Sequence, residues 1–227
     1  MTSPPSGPAV ADWEDIARDP HGRLWIADTG NNANQRRDLS VFAVPEPRRG
    51  QDGPIEPLLV VRFTYPDQSA YPDPDRMDFD GEAIFWFEDR LYLLTKHRSD
   101  TRTTLYRFPS LDPQVTLERI SDRDVGGDPS RFGGRVTAAD LSPDQSTLAV
   151  LTYHAVFLFP RPASGDDWLA EEPRLIPLDQ DRLRQCEGIA WHQDRLLIHN
   201  EDGALFTLDP AHARSEERRV GKECRSR

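Results

Sequence analysis

One unit occurs four times along this chain, and a chain built of repeats has few folds open to it. The copies open at Asp12-Trp13-Glu14-Asp15-Ile16-Ala17, Asp80-Gly81-Glu82-Ala83-Ile84-Phe85, Ala138-Ala139-Asp140-Leu141-Ser142 and Gln185-Cys186-Glu187-Gly188-Ile189-Ala190-Trp191. Each sets an acid two residues before an aliphatic side chain, except the third, where Leu141 follows Asp140 directly. The anchoring acids are Glu14, Glu82, Asp140 and Glu187, spaced 68, 58 and 47 residues apart. Loops at 48–56 and 68–78 account for the longer spacings.

After each anchor come turn formers: Asp19-Pro20-His21-Gly22, Glu88-Asp89, Ser142-Pro143-Asp144-Gln145 and Gln193-Asp194. An apolar run follows, at Leu24-Trp25-Ile26-Ala27, Leu91-Tyr92-Leu93-Leu94, Leu148-Ala149-Val150-Leu151 and Leu196-Leu197-Ile198-His199. Continuous runs of this kind suit strands buried on both faces. A third strand ends in proline each time, at Pro45, Pro109, Pro160 and Pro210, as expected of a residue that cannot donate to a ladder. A fourth is predicted at Leu58–Phe63, Val115–Ile120 and Arg174–Leu178. Short strands in a repeated set of four predict an all-β chain, a β-propeller with blades beginning near residues 12, 80, 138 and 185. A β-sandwich is the architectural rival. Nothing reads as a long helix.

The two ends differ from this body. Residues 214–227 read RSEERRVGKECRSR, which resembles the translation of a sequencing adapter, so they are expected to be foreign to the fold and to make no packed contacts. The first eleven residues are rich in Pro and Ser and are read as disordered or clipped. The expected unit is therefore 12–213: four blades of a five- or six-bladed ring, or a complete four-bladed ring. The start carries no basic segment followed by an apolar one. That fits a cytoplasmic protein, or a secreted or periplasmic one if the start is truncated.

Formal charge is −11, with 28 basic against 39 acidic residues. Without the six basic and three acidic residues of 214–227 the body has 22 against 36, a net −14. No basic stripe exists to replace counterions, which argues against nucleic acid and against an anionic membrane surface. No apolar run approaches the roughly 18 residues a span needs. The body holds a single cysteine, Cys186, so it offers neither an intrachain disulfide nor a thiolate metal site. A neighbouring Glu187 carboxylate would raise its pKa, so a small buried residue is the reading preferred over a nucleophile.

Residues 12–45 resemble an uncharacterised group of bacterial β-propeller proteins. In these, a D-W-E-D-I-A strand precedes a G-D-x-G-D-N turn and a strand ending in proline. Here Asp12 to Ala17 match the first element, Asp28-Thr29-Gly30-Asn31-Asn32 the turn, and Val41 to Pro45 the strand. Ala27 stands for the first glycine of the turn and Asn31 for its second acid. The resemblance continues through Asp80-Gly81-Glu82-Ala83, Val136 to Asp144 and Cys186 to Ala190. It implies a further blade before Asp12. More distantly, the Glu187-Gly188-Ile189-Ala190 strand is similar to that of gluconolactonase-like, paraoxonase-like, NHL-type and phytase-related esterase-like propellers. The lactonase resemblance implies a glutamate on an innermost strand that binds a divalent metal.

In a propeller the first strand of each blade lines the central channel, so Glu14, Glu82, Asp140 and Glu187 are expected to converge on the axis. Aligning the second strands on their first leucine gives a second set, Asp28, Thr95, Thr152 and Asn200, all bearing oxygen. One residue further come Thr29, Lys96, Tyr153 and Glu201. Gathered carboxylates need a cation, a basic side chain or N–H donors. A hard cation such as Ca²⁺ takes six to eight oxygens, and Glu14, Asp28, Glu82, Asp140, Glu187 and Asn200 are its candidate ligands. The other readings are that the acids accept backbone N–H groups of the next blade, that Lys96 and Arg135 neutralise them, or that they repel anions from a pore.

His97 and His154, two residues past Thr95 and Thr152, are candidate general bases. Surface histidines at loop starts are the plainer reading. Asp73, Asp75, Asp78 and Asp80 form another acidic cluster, but Arg76 occupies a ligand position of an EF-hand loop. Trp13, Trp25, Trp86 and Trp191 read as packing between blades. No G-x-S-x-G, P-loop or H-E-x-x-H occurs. The chain therefore reads as a non-catalytic propeller that binds a small molecule or a protein, monomeric when complete. The alternative is a metal-dependent hydrolase of lactones or esters.

Overall fold

The computed structural model describes residues 12–128, 133–211 and 218–219. They form four sheets, antiparallel apart from one edge pairing, arranged as the blades of a β-propeller. Blade 1 holds β1 (Trp13–Arg18), β2 (Arg23–Asp28), β3 (Ser40–Pro45) and β4 (Leu59–Thr64). Blade 2 holds β5 (Asp80–Phe87), β6 (Arg90–Lys96), β7 (Arg102–Arg107) and, after β8 (Gln114–Thr116), β9 (Glu118–Asp124). Blade 3 holds β10 (Val136–Leu141), β11 (Thr147–Thr152), β12 (Ala155–Pro160) and β13 (Arg174–Pro177). Blade 4 holds β14 (Cys186–His192), β15 (Arg195–Asn200), β16 (Leu205–Leu208) and β17 (Arg218–Arg219). Among the described residues no helix is long and apolar enough to cross a membrane.

The turns follow from their residues. Glu88 and Asp89 both take positive φ, 44° and 61°, as a two-residue hairpin link needs to match strand twist. In blade 1, Asp19 fixes the link instead: its carboxylate accepts from the N–H groups of His21 and Arg23 and from the Trp25 indole.

Three apolar cores lie between successive blades. Trp25 and Trp86 stack at 5.6 Å in the first. Phe85, Phe87 and Trp168 meet edge to face in the second. Leu151, Leu183, Cys186 and Ile198 fill the third. Burying a Leu, Ile or Phe side chain contributes about 1.5–3 kcal/mol, so these contacts hold blade to blade more firmly than the thin edges of each sheet could. Among the described residues no such core joins blade 4 to blade 1.

Three expectations are corrected. The predicted fourth strand of blade 2, Val115–Ile120, is two strands: β8 crosses over to run parallel to β4 on the outer edge of blade 1, and β9 completes blade 2. Leu117 is buried between them in the first core. Blade 4 also has a fourth strand, because Arg218–Arg219 pairs with Phe206 and Thr207 of β16. These two residues belong to the stretch 214–227. The rest of that stretch, like residues 1–11, lies outside the described residues.

The third correction concerns register. Every innermost strand carries a β-bulge against its partner, and in β5 and β14 the bulged residue is the anchor acid, Glu82 or Glu187. In β1 the irregularity falls at Glu14 and Asp15. In β10 it falls at Thr137, between Val136 and Ala138. Asp140 thus stands three residues beyond the anchor position of its blade.

Candidate functional site

A bulge places two residues opposite one and re-aims the extra side chain. In blades 1, 2 and 4 the result is that Glu14, Glu82 and Glu187 line one cavity of about 420 Å³. Asp12, Trp13, Asn32, Lys96, Arg98, Arg135, Tyr153, Gln185 and Glu201 complete its lining. Trp13 is therefore 56% exposed at the cavity instead of packed between blades. Trp25 and Trp86 do pack between blades, and Trp191 lies against the third core.

Lys96 Nζ donates to Glu82 Oε1 at 2.6 Å, both side chains being buried. Glu82 Oε2 is buried without a hydrogen-bond partner. The Lys96 ammonium also lies 5.6 Å from the centre of the Tyr153 ring, and the Tyr153 hydroxyl donates to Glu187 Oε1 at 2.6 Å. Lys96 and Tyr153 thus link the acid of blade 2 to the acid of blade 4. On the other side, carboxylate oxygens of Glu14, Asp80 and Glu82 lie within 4.8 Å of one another. Asp80 accepts from Asn31 N at 2.5 Å and from Arg98 Nη2 at 2.7 Å. Gly30 lets Glu14 fit there: a Cβ on it would collide with Glu14 Oε1 and with the Asp12 carboxylate.

Crowding and burial favour the neutral acids. Burial, then Asp12 and Asp80, push Glu14 up to about 8. Glu82 is held well above the usual carboxylate range by burial, with Lys96 opposing. Glu187 is raised by burial. Arg135, which also faces the cavity, has its pKa lowered by burial and then by the Arg98 charge.

The remaining candidates lie elsewhere. Asp140 does not line the cavity. Its carboxylate accepts from Trp191 N at 2.6 Å and its carbonyl from the Trp191 indole at 3.2 Å, so it packs blade 3 on blade 4. Burial raises it to about 6. The second set keeps its common register: Asp28, Thr95, Thr152 and Asn200 pair with the residue before each bulge and are all buried. Their oxygens accept from local groups: Asp28 from Asp12 N and Arg36 Nη1, Thr95 from Thr104 N, Asn200 from Ala204 N. Thr152 donates to Ala155 O.

Neither histidine lines the cavity. His97 is buried, with Nδ1 2.9 Å from Asp100 Oδ1 and Nε2 3.1 Å from Thr104 Oγ1. His154 lies 3.0 Å from Thr152 Oγ1, and burial lowers its pKa. The acidic loop is divided. Asp80 joins the site, Asp78 stands beside His97 and Arg76, and Asp73 binds the N–H groups of Asp75 and Arg76. The sequence reading assigned no site role to Tyr153, Arg98 or Glu201 and cast Lys96 and Arg135 only as neutralisers. The signal for Lys96, Tyr153 and Glu201 was their shared register one residue past Thr95, Thr152 and Asn200. Arg98 and Arg135 sit outside the strands, and no periodicity marks them.

No protein-family profile matches the chain, and no curated protein matches it. Among solved structures it is similar to a Bacteroides uniformis protein described as a candidate 6-phosphogluconolactonase, at 12% identity and TM-score 0.49, covering 95% of this chain and 73% of that one. A Lactobacillus plantarum protein matches at 12% identity and TM-score 0.48, covering 92% of this chain and 54% of that one. A β-propeller domain from Myceliophteria thermophila matches at 13% and TM-score 0.44, covering 85% and 55%. The chain thus spans about half to three quarters of these relatives. At such identities the likeness is one of fold.

Proposed function

We propose that the chain is a non-catalytic binding propeller that takes a small polar ligand at the axial cavity, together with a divalent cation of the Ca²⁺ kind. The observation that carries this reading is Glu82 Oε2, a buried carboxylate oxygen with no hydrogen-bond partner beside the carboxylates of Glu14 and Asp80. An orphaned acceptor of this kind is costly, and a hard cation is the group that oxygens alone suit. The donors present fit it: Glu14 and Glu82 would hold the ion, and Asp80 would stand behind them, tied to Arg98. The rest of the lining offers both signs of charge, Glu187 and Glu201 against Arg98 and Arg135, which suits a ligand with donors and acceptors.

A metal-dependent hydrolase draws less support. The ion would polarise a carbonyl and lower the pKa of a bound water, but the two histidines named as bases both point to other partners. The test is a thermal melt in chelator and in millimolar calcium, with elemental analysis. A ligand bound only by the folded state stabilises it by about 2.7 kcal/mol at a hundred times Kd, so calcium should raise the midpoint by several degrees, and Glu82→Gln should abolish the rise. Identical melts and no bound metal would sink the reading.

A further inference from the structure

Two segments of blade 2 meet beside the cavity: the stretch leading into β5 and the link from β6 to β7. Asp80 and Lys96, one from each, serve the acids of the cavity. Two residues before Asp80 and one after Lys96, Asp78 and His97 meet each other outside it, joined by Asp100. These three bring one ligand atom each within 4.8 Å of one another. His97 Nδ1 stands 2.9 Å from Asp100 Oδ1 and 3.7 Å from Asp78 Oδ1.

Asp78 is the unsettled member of the group. It is 8% exposed, yet among the described residues its carboxylate accepts a single hydrogen bond, from the Ser99 hydroxyl to Oδ1. Arg76 brings Nε only to 3.6 Å from Oδ2, outside hydrogen-bond range. A hydrogen on His97 Nδ1 can serve Asp100 but not also an oxygen at 3.7 Å. Burying a carboxylate with so few donors is costly, and a cation held between the ring nitrogen and the two oxygens removes that cost.

We propose that Asp78, His97 and Asp100 hold a divalent transition-metal ion of the Zn²⁺ kind. Imidazole nitrogen suits such ions, whereas Ca²⁺ takes oxygens. Zinc bonds of about 2.0–2.1 Å at tetrahedral angles set ligand atoms roughly 3.3–3.4 Å apart, and the two observed spacings lie on either side of that. The far side of the ring is arranged as a metal-bound histidine requires. With Nδ1 on the ion, the ring's hydrogen is on Nε2, and the buried Thr104 hydroxyl, 3.1 Å away, accepts it. The Arg102 N–H fixes Asp100 Oδ1 at 2.8 Å. Asp100 is exposed, which gives the ion a path from solvent and lets water take the fourth position. Bound there, the ion ties the stretch before β5 to the link after β6. It shares no ligand with the cation of the cavity and does not rest on that reading.

Zinc titration of the chelator-stripped chain tests this, with elemental analysis after gel filtration and thermal melts. The unaltered chain should retain one equivalent and melt several degrees higher. Co²⁺ in place of zinc should give visible ligand-field absorption, which hydrogen bonds within the group cannot produce. His97→Gln should abolish both signals. Thr104→Val, which removes only the support of the ring, should weaken zinc binding about 10- to 100-fold. If His97→Gln fails to fold, Asp100→Asn, at an exposed position, decides: zinc binding should weaken by about tenfold or more. Glu82→Gln should bind zinc like the unaltered chain. A chain that retains no zinc, a His97→Gln or Asp100→Asn variant that binds it like the unaltered chain, or zinc lost with Glu82→Gln would each overturn the proposal.

Discussion

Lys96 and Glu82 form a buried ion pair, Nζ to Oε1 at 2.6 Å, on adjacent strands of blade 2. Removing one partner of such a pair strands the other charge. Lys96→Met should therefore cost about 3–5 kcal/mol in denaturant unfolding. Adding Glu82→Gln to it should recover a large part of that loss. A double variant no more stable than Lys96→Met would mean that the pair is not the source of the cost.

The fold should weaken as the solution becomes alkaline. A carboxyl whose folded pKa lies above its unfolded value favours the native state only while protonated. For Glu14 that contribution is fully present below about 4.5 and is lost as pH rises through about 8. In chelator, Glu14→Gln should lose less stability than the unaltered chain between these values, as read by melts at a series of pH. Parallel pH profiles for the two proteins would contradict this.

Replacing Gly30 with Ala should act at the cavity. The new methyl occupies the space of Glu14 Oε1 and the Asp12 carboxylate, so both must move. The expected result is a smaller calcium-induced rise in melting midpoint than in the unaltered chain. An undiminished rise would show that Glu14 does not hold the ion.

Asp140 gives the contrasting case. Asp140→Ala removes the acceptor of Trp191 N and leaves a half-buried donor without its partner, so the cost should fall at or below the lower end of the roughly 1–3 kcal/mol of a fully buried one. Its response to calcium should equal that of the unaltered chain. A lost response would return Asp140 to the ligand set.

Much of this could be read from the residues. The recurring strands gave the blades and their order, and the second-strand alignment set Asp28, Thr95, Thr152 and Asn200 in one register because the second strands run on from their first leucine without a bulge against the third strands. The innermost strands were harder, since a bulge breaks the period of two and hides which residue is extra. In blade 3, Asp140 imitates the acid pattern while Thr137 occupies the position, donating to Cys186 O. Counting back from Thr152 through its partner Val136 would have found it. Arg98 and Arg135 reach the cavity from loops, whose path depends on three-dimensional closure and leaves no mark in periodicity.

The parallel pairing of β8 with β4 imposes an order of events on a chain emerging from the ribosome. Blade 1 has its four strands once Thr64 is made, but its outer edge stays open until Thr116, 52 residues later, has been added. At about 5–20 residues per second that edge waits roughly three to ten seconds. During that interval it is a free template for any other strand. Protease digestion of ribosome-stalled chains ending before and after Thr116 should show blade 1 becoming resistant only in the longer ones.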